Sequence, residues 1–134
     1  MNRALLPEGW DKPKGYANAV LARGTQIHIA GQIGWNPATS QFETDDFVAQ
    51  VRQALSSIAA LLREGGAGPE HLVRLTWYVV DKREYLGALR EIGSTYRDIL
   101  GKNYPAMTLV EVKSLLEPRA KVEIEATAVV PDPV

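Results

Sequence analysis

Cysteine is absent from this sequence of 134 residues, and histidine occurs only at His28 and His71. Without cysteine the chain can form no disulfide bond, no thiol nucleophile and no thiolate metal site. Two histidines are too few for a histidine-rich metal centre. We therefore expect a protein that works without a bound metal and without a cofactor.

The sequence also lacks an excess of charge of one sign and lacks long apolar runs. The 15 lysines and arginines are balanced by 16 aspartates and glutamates, for a net charge of −1, and no basic stretch stands out. Nucleic-acid binding needs such a stretch. No apolar run approaches the roughly 18 residues that span a membrane, and Pro7 interrupts the N-terminus too early for a secretory signal. We expect a cytoplasmic protein that binds neither nucleic acid nor membrane.

The composition is that of one globular domain. The chain is 46% hydrophobic and 23% charged, and its length suffices for one hydrophobic core but not for two. We therefore predict a single domain over residues 1–134. Within it, residues 1–14 contain Pro7, Gly9 and Pro13, which predict an irregular N-terminal arm.

Apolar periodicity predicts the element order β-β-α-β-α-β-β. Gly24-Thr25 is expected to form a hairpin turn between the first two strands. The first helix is expected to begin at a cap formed by Thr44 or Asp45 and to end at Gly65-Gly66. The predicted strands cover 15–20, 26–30, 73–80, 104–112 and 121–130, and the second helix covers 82–100, with a core stripe of Leu86, Leu89, Ile92, Tyr96 and Ile99.

Both predicted helices are apolar on one side only, so we expect them to cover one face of a single mixed sheet, an α+β fold. The third strand carries apolar residues on both sides. Val73, Leu75, Trp77 and Val79 point one way, and Tyr78 and Val80 point the other way. In a monomer the second set would be exposed, which predicts self-association.

The last two strands resemble a known family. Residues 105–112 read Pro-Ala-x-Thr-x-Val-Glu-Val, and residues 122–129 read Val-Glu-Ile-Glu-Ala-x-Ala-Val. This pattern resembles the C-terminal signature of the RidA/YjgF family, also known as the endoribonuclease L-PSP family. The resemblance implies a chorismate-mutase-like fold, three copies whose sheets close a central barrel, and clefts between subunits that bind a small molecule.

The family includes hydrolases of reactive enamines and imines, and the resemblance assigns roles to residues of this chain. Glu123 matches the glutamate that orients or activates the attacking water, as the only catalytic candidate. Tyr16 matches a tyrosine near the cleft, Gly31 matches a pocket glycine, and Thr108 replaces a Ser or Thr beside the pocket. These three residues, together with Met107, are the candidate substrate-binding residues.

Met107 departs from the family pattern. Active members carry an Arg directly after Pro-Ala, and that Arg grips the substrate carboxylate. Met offers no hydrogen-bond donor, whereas the guanidinium of Arg is a planar fork that donates two parallel hydrogen bonds to a carboxylate. We therefore expect weak or no activity on 2-aminoacrylate, unless Arg119 or Lys113, the nearest cations in sequence, replaces the missing fork. Gly93 falls near a polar helix residue of the family pocket.

Two functions remain open at this point. The first is a RidA-like deaminase or hydrolase that acts on a small reactive enamine or imine. The second is a trimer that binds a small molecule in the same cleft without catalysis. A ribonuclease is disfavoured by the balanced charge and by the lack of a basic groove. Steady ammonia release from a panel of imines would separate the first two.

Overall fold

The structure, a computed structural model, describes residues 2–133. Helices α1, α2 and α3 cover Phe47–Glu64, Lys82–Leu86 and Leu89–Leu100, and a 3-10 turn covers Pro69–His71. The six strands β1 to β6 cover Arg3–Leu5, Ala19–Leu21, Gly24–Ile33, Leu72–Val79, Ala106–Glu111 and Val122–Pro131.

Four strands form one mixed sheet in the order β3-β6-β4-β5. Strand β6 is antiparallel to both of its neighbours, whereas β4 and β5 run parallel. A parallel pair needs a crossover, which α2 and α3 supply. The predicted mixed sheet with helices on one face is thereby confirmed.

The N-terminal region differs from the prediction. The arm expected to be irregular contains β1, which pairs antiparallel with β2 in a separate two-stranded sheet. The hairpin predicted at Gly24-Thr25 is wrong, because β2 bonds to β1 while β3 bonds to β6. The strand predicted over 15–20 is reduced to β2 and an isolated parallel bridge between Ala17 and Ala106.

The hydrophobic core lies between the helices and one face of the sheet. Strand β6 contributes Val122, Ile124, Ala126 and Ala128, all buried, as its alternation predicts. Helix α1 packs on β3 and β6 and against α3. Its apolar stripe is fully buried at Val51, Ala54, Leu55, Ile58 and Leu62.

The N-cap of α1 is Asp46 rather than Thr44 or Asp45. The Asp46 carboxylate accepts a hydrogen bond from the Ala49 amide at 2.9 Å. The two predicted caps have other partners, since the Thr44 hydroxyl accepts from the Asp46 amide and Asp45 pairs with Arg119. Three adjacent residues that can all cap a helix leave the starting residue undetermined by sequence.

The second predicted helix is broken. It divides into α2 and α3 at Gly87 and Ala88, where Ala88 leaves helical geometry with φ −130° and ψ 26°. The break interrupts the phase of the apolar stripe. Leu86 and Leu89, which we predicted to be core residues, are therefore 58% and 53% exposed, whereas Ile92 is buried as expected.

The face of the sheet away from the helices is less apolar than predicted. A register shift in β4 turns Leu72 rather than Val73 into the core, and Val80 lies beyond the end of the strand. We call this side the open face. It carries Arg74, Thr76 and Tyr78 of β4, Thr108 and Val110 of β5, and Glu123, Glu125 and Thr127 of β6.

Among residues 2–133, no helix combines the length and the apolar character needed to cross a membrane.

Candidate functional site

The predicted site residues fall on two sides of the sheet. Met107 pairs in register with the buried Leu75, and together with Tyr16 it lines a cavity of about 330 Å³ on the helix side. Glu123 and Gly31 lie together on the open face, where Thr108 is also exposed. A single chain therefore does not bring Glu123 to the Met107 cavity.

A short backbone link positions Tyr16. The Ala17 amide donates a hydrogen bond to the Pro105 carbonyl at 2.9 Å, and Ala17 bridges Ala106 at the start of β5. Pro105 has a fixed φ, so the chain enters β5 in a defined direction. The link sets Tyr16 beside Pro105 and Met107 at the rim of the cavity.

Four further aromatic rings line the cavity. Tyr96 stacks on Tyr104 with centroids 5.4 Å apart, and Trp77 meets Tyr85 edge-on at 5.9 Å. The Tyr96 hydroxyl donates to the Asn103 carbonyl, which fixes the ring. Burial raises the pKa of both Tyr85 and Tyr96, so their phenols stay neutral.

Neither cation proposed to replace the missing Arg reaches this cavity. Arg119 is engaged by Asp45, with Nε and Nη2 at 3.0 Å and 2.9 Å from the same carboxylate oxygen. Its guanidinium also lies over the Phe42 ring, 5.4 Å from the centroid. Lys113 lies in a shallow depression beside Glu111. The cations that do line the cavity are Lys14 and Arg97.

Sequence reasoning missed Arg97, which belongs to α3. The signal that could have found it is its spacing from Gly93. Residues four apart on a helix lie on the same side. Since Gly93 falls near a position that contributes to the family pocket, Arg97 should face that pocket too.

The Glu123 carboxylate lies against the backbone of Gly31. Strand β3 has an irregularity between Ile29 and Gln32, and Gly31 lies within it. A Cβ built on Gly31 would be 2.1 Å from Glu123 Oε2 and 2.7 Å from its Cδ. Any larger residue at position 31 would displace this carboxylate, so the glycine is required for a close approach.

The neighbouring carboxylate, Glu125, has a different environment. Tyr78 donates its hydroxyl hydrogen to Glu125 Oε1 at 2.8 Å. This hydrogen bond is the main reason that the pKa of Tyr78 is raised, and burial and the charges of Glu125 and Glu123 add to it. No side-chain donor within residues 2–133 bonds to Glu123. Glu123 therefore keeps its acceptor capacity for a ligand or water.

The described residues contain no cluster of His, Asp and Glu side chains that could hold a metal ion. The site residues offer carboxylate, phenol and guanidinium groups together with aromatic surface. Such groups can bind an organic ligand and transfer protons.

Comparison of the sequence with known proteins gives consistent relatives. The Endoribonuclease L-PSP family matches residues 11–130. A RutC family protein of Pyrococcus horikoshii is 30% identical over 128 residues, which make up 96% of this chain and 98% of that protein. A 2-iminobutanoate/2-iminopropanoate deaminase of Capra hircus is 31% identical over 114 residues, or 85% of this chain and 79% of the deaminase.

Comparison of the structure agrees with these relatives. The crystal structure of YyfB from Yersinia pestis, a Rid family protein of unknown function, matches with a TM-score of 0.83 and 32% identity over 96% of this chain and 98% of that one. The predicted fold class is therefore confirmed. The chain belongs to the Endoribonuclease L-PSP family, the family of the RidA and YjgF proteins.

Proposed function

We propose that this protein is a RidA-like hydrolase that deaminates a small reactive enamine or imine. It acts as a homotrimer, with the ligand in a cleft between subunits. The family membership supports this class of reaction, since relatives such as the Capra hircus protein are named as deaminases of 2-iminobutanoate and 2-iminopropanoate. The carboxylate of Glu123 supplies the proton acceptor that the attacking water needs.

The observation that carries the proposal is the contact between Glu123 and Gly31. The carboxylate oxygen occupies space that a β-carbon on residue 31 would fill. Gly31 thus leaves room for the Glu123 carboxylate beside the strand backbone, and within residues 2–133 no side chain donates to that carboxylate, so its oxygens are available to water. Glu125 differs, because its carboxylate accepts the Tyr78 hydroxyl hydrogen.

The chemistry follows from the carboxylate. Water adds to the C=N carbon of an imine, and a carbon–oxygen bond forms as the π electrons move to nitrogen. Glu123 accepts a proton from that water and returns a proton to the amine nitrogen. The product of this addition is a carbinolamine. Its hydroxyl proton then moves to the nitrogen through the same carboxylate as the carbon–nitrogen bond breaks, which releases ammonia and leaves a carbonyl compound.

Trimerisation accounts for the separation of the two groups of site residues. Glu123 and Gly31 lie on the open face, and Met107 and Tyr16 line a cavity on the other side of the sheet. When three sheets close a barrel, the open face of one subunit lies against the edge of the next. We propose that Glu123 of one subunit completes the Met107 cavity of its neighbour.

Met107 affects which substrates the cavity binds. The side chain at this position carries no charge, so position 107 lacks the guanidinium that binds the carboxylate of a small imino acid in Arg-bearing relatives. We expect weak or no activity on 2-aminoacrylate for this reason. The preferred substrate is a different enamine or imine.

The test is ammonia release from a panel of imines generated in place from amino acids. We expect at least one imine to be hydrolysed faster than in buffer, Glu123→Gln to lose at least tenfold in rate, and Glu125→Gln to keep the parental rate. If no imine reacts faster with the protein, the proposal fails.

The alternative is a non-catalytic trimer that binds a small molecule. The observation that favours it is the lack of a guanidinium at position 107. Under this alternative, calorimetry detects ligand binding while the ammonia assay stays at the buffer rate for every imine.

A further inference from the structure

Arg97 and Gly93 line the same cavity as Met107, one turn apart on α3. We infer that Arg97 is the anion-binding residue of this cavity and that the ligand is a carboxylate with an apolar, aryl-sized body. The inference rests on the proposed function for the type of reaction. It adds the class of ligand and the residue that selects that class.

Gly93 leaves room for the side chain of Arg97. Long side chains on a helix point back over the preceding turn, and Gly93 lies four residues before Arg97. A Cβ on Gly93 would lie 3.3 Å from Nη1 of Arg97 and 4.0 Å from Nη2. An alanine at position 93 would therefore require the guanidinium to shift by a few tenths of an ångström, and a longer side chain would take more of this space.

The Arg97 guanidinium is uncommitted. Within residues 2–133 it forms no ion pair, although Arg52, Arg83 and Arg119 each pair with an aspartate. In the described part of the chain the cavity is lined by no Asp or Glu, and its second cation is Lys14. An Arg without a partner can bind a carboxylate through two parallel hydrogen bonds. The charges of the cavity thus favour an anion.

The rest of the cavity favours an apolar body. Leu75, Trp77, Ile92 and Met107 present carbon or sulfur to it, and the stacked ring of Tyr104 closes one side. Aromatic ligands gain from edge and face contacts with such rings. The volume of about 330 Å³ lies at the lower end of the range for ligand sites, roughly 300–1,000 Å³.

Calorimetric titration tests the inference with three probes: phenylacetate, its neutral isostere phenylacetamide, and acetate. We expect the parent protein to bind phenylacetate at least tenfold more tightly than either of the other two. Arg97→Gln should lose at least tenfold in affinity for phenylacetate and little for phenylacetamide. Arg97→Lys should keep part of the affinity, because it keeps the charge but not the fork.

Two further variants complete the test. Gly93→Ala should weaken phenylacetate binding, because the new methyl group crowds Nη1. Arg90→Gln is the matched control, since Arg90 is an exposed arginine of α3 outside the cavity. This variant should bind phenylacetate with the affinity of the parent protein. If the parent does not bind phenylacetate, or if folded Arg97→Gln and Gly93→Ala bind it as the parent does, the inference is overturned.

The proposed function can fail separately. Glu123→Gln should lose imine hydrolysis and still bind phenylacetate. If Arg97-dependent binding is present while no imine is hydrolysed, the reaction class is wrong and the ligand class stands. If imines are hydrolysed and phenylacetate binding ignores Arg97, the reaction class stands and the ligand class is wrong.

Discussion

At the scale of residues, Gly31 and Glu123 form an interdependent pair. Gly31→Ala should displace the Glu123 carboxylate, because the new Cβ would lie 2.1 Å from Oε2. We expect imine hydrolysis to fall at least tenfold, close to the loss in Glu123→Gln, while circular dichroism still reports a folded protein. Ala30→Ser, an exposed neighbour on the same strand, should keep the parental rate. Parental hydrolysis by folded Gly31→Ala would mean that the carboxylate position is unimportant.

Met107→Arg tests the cavity itself. The new guanidinium would enter a cavity that already holds Arg97 and Lys14 and, among the described residues, is lined by no carboxylate. Desolvation and like-charge repulsion should therefore lower the melting temperature. With its stem along apolar neighbours, the variant should gain affinity for small carboxylates such as 2-oxobutanoate in calorimetric titration.

Met107→Leu is the control for volume at that position, and it should gain no affinity for carboxylates. A folded Met107→Arg protein that binds 2-oxobutanoate no better than the parent would show that position 107 does not contact the ligand.

At the scale of elements, the loop between α3 and β5 is locked by Tyr96. Burial holds the pKa of Tyr96 above the value of about 10 found in unfolded chains. The folded state therefore keeps this proton to higher pH than the unfolded state does. The associated stability is fully present below pH of about 10 and is lost as pH rises towards the folded-state pKa.

We accordingly expect the melting temperature to be nearly constant from pH of about 7 to 9 and to fall above about 10. Tyr96→Phe should melt lower than the parent near neutral pH, because it loses the hydrogen bond to the Asn103 carbonyl, about 1 kcal/mol. Its decline above pH of about 10 should be shallower than that of the parent. Parallel declines in calorimetric scans would contradict the assignment to Tyr96.

The length of each element determines how well the sequence predicts it. The strict alternation of β6 and the long apolar stripe of α1 are repeated over many residues, so they identified those elements correctly. Strand β1 has three residues, too few for a pattern. The break at Gly87-Ala88 depends on the packing of α2 and α3, because glycine alone does not end a helix.

For the site, local motifs led to Glu123, Gly31, Tyr16 and Met107, but they gave no information on which side of the sheet each residue lies. Arg97 lies on a helix outside those motifs, and only the fold places it beside Met107. Within one chain, neither Arg119 nor Lys113, the nearest cations in sequence, lines this cavity.

At the scale of the whole molecule, several apolar side chains are exposed, one of them on the open face. Val110 on the open face is 40% exposed, Leu116 in the link before β6 is 93% exposed, and Trp10 is 60% exposed. Surfaces of this kind favour association. Sedimentation at micromolar concentration should give three times the chain mass of 14.7 kDa.

Val110→Glu should shift this species towards the monomer, because it would bury a charge in the proposed interface. Ser94→Glu, at an exposed position of α3, should leave the trimer intact. A parent protein that sediments as a monomer would contradict both the trimer and the shared cleft.

The position of β6 in the sheet has a consequence for synthesis. Strand β6 bonds to both β3 and β4, yet it is the last of the four sheet strands to leave the ribosome. Until residues 122–131 emerge, β3 has no partner in the sheet and the parallel pair of β4 and β5 has an open edge. Unpaired edges are prone to aggregation, and the pairing of β6 with both of its neighbours covers these two edges in one step.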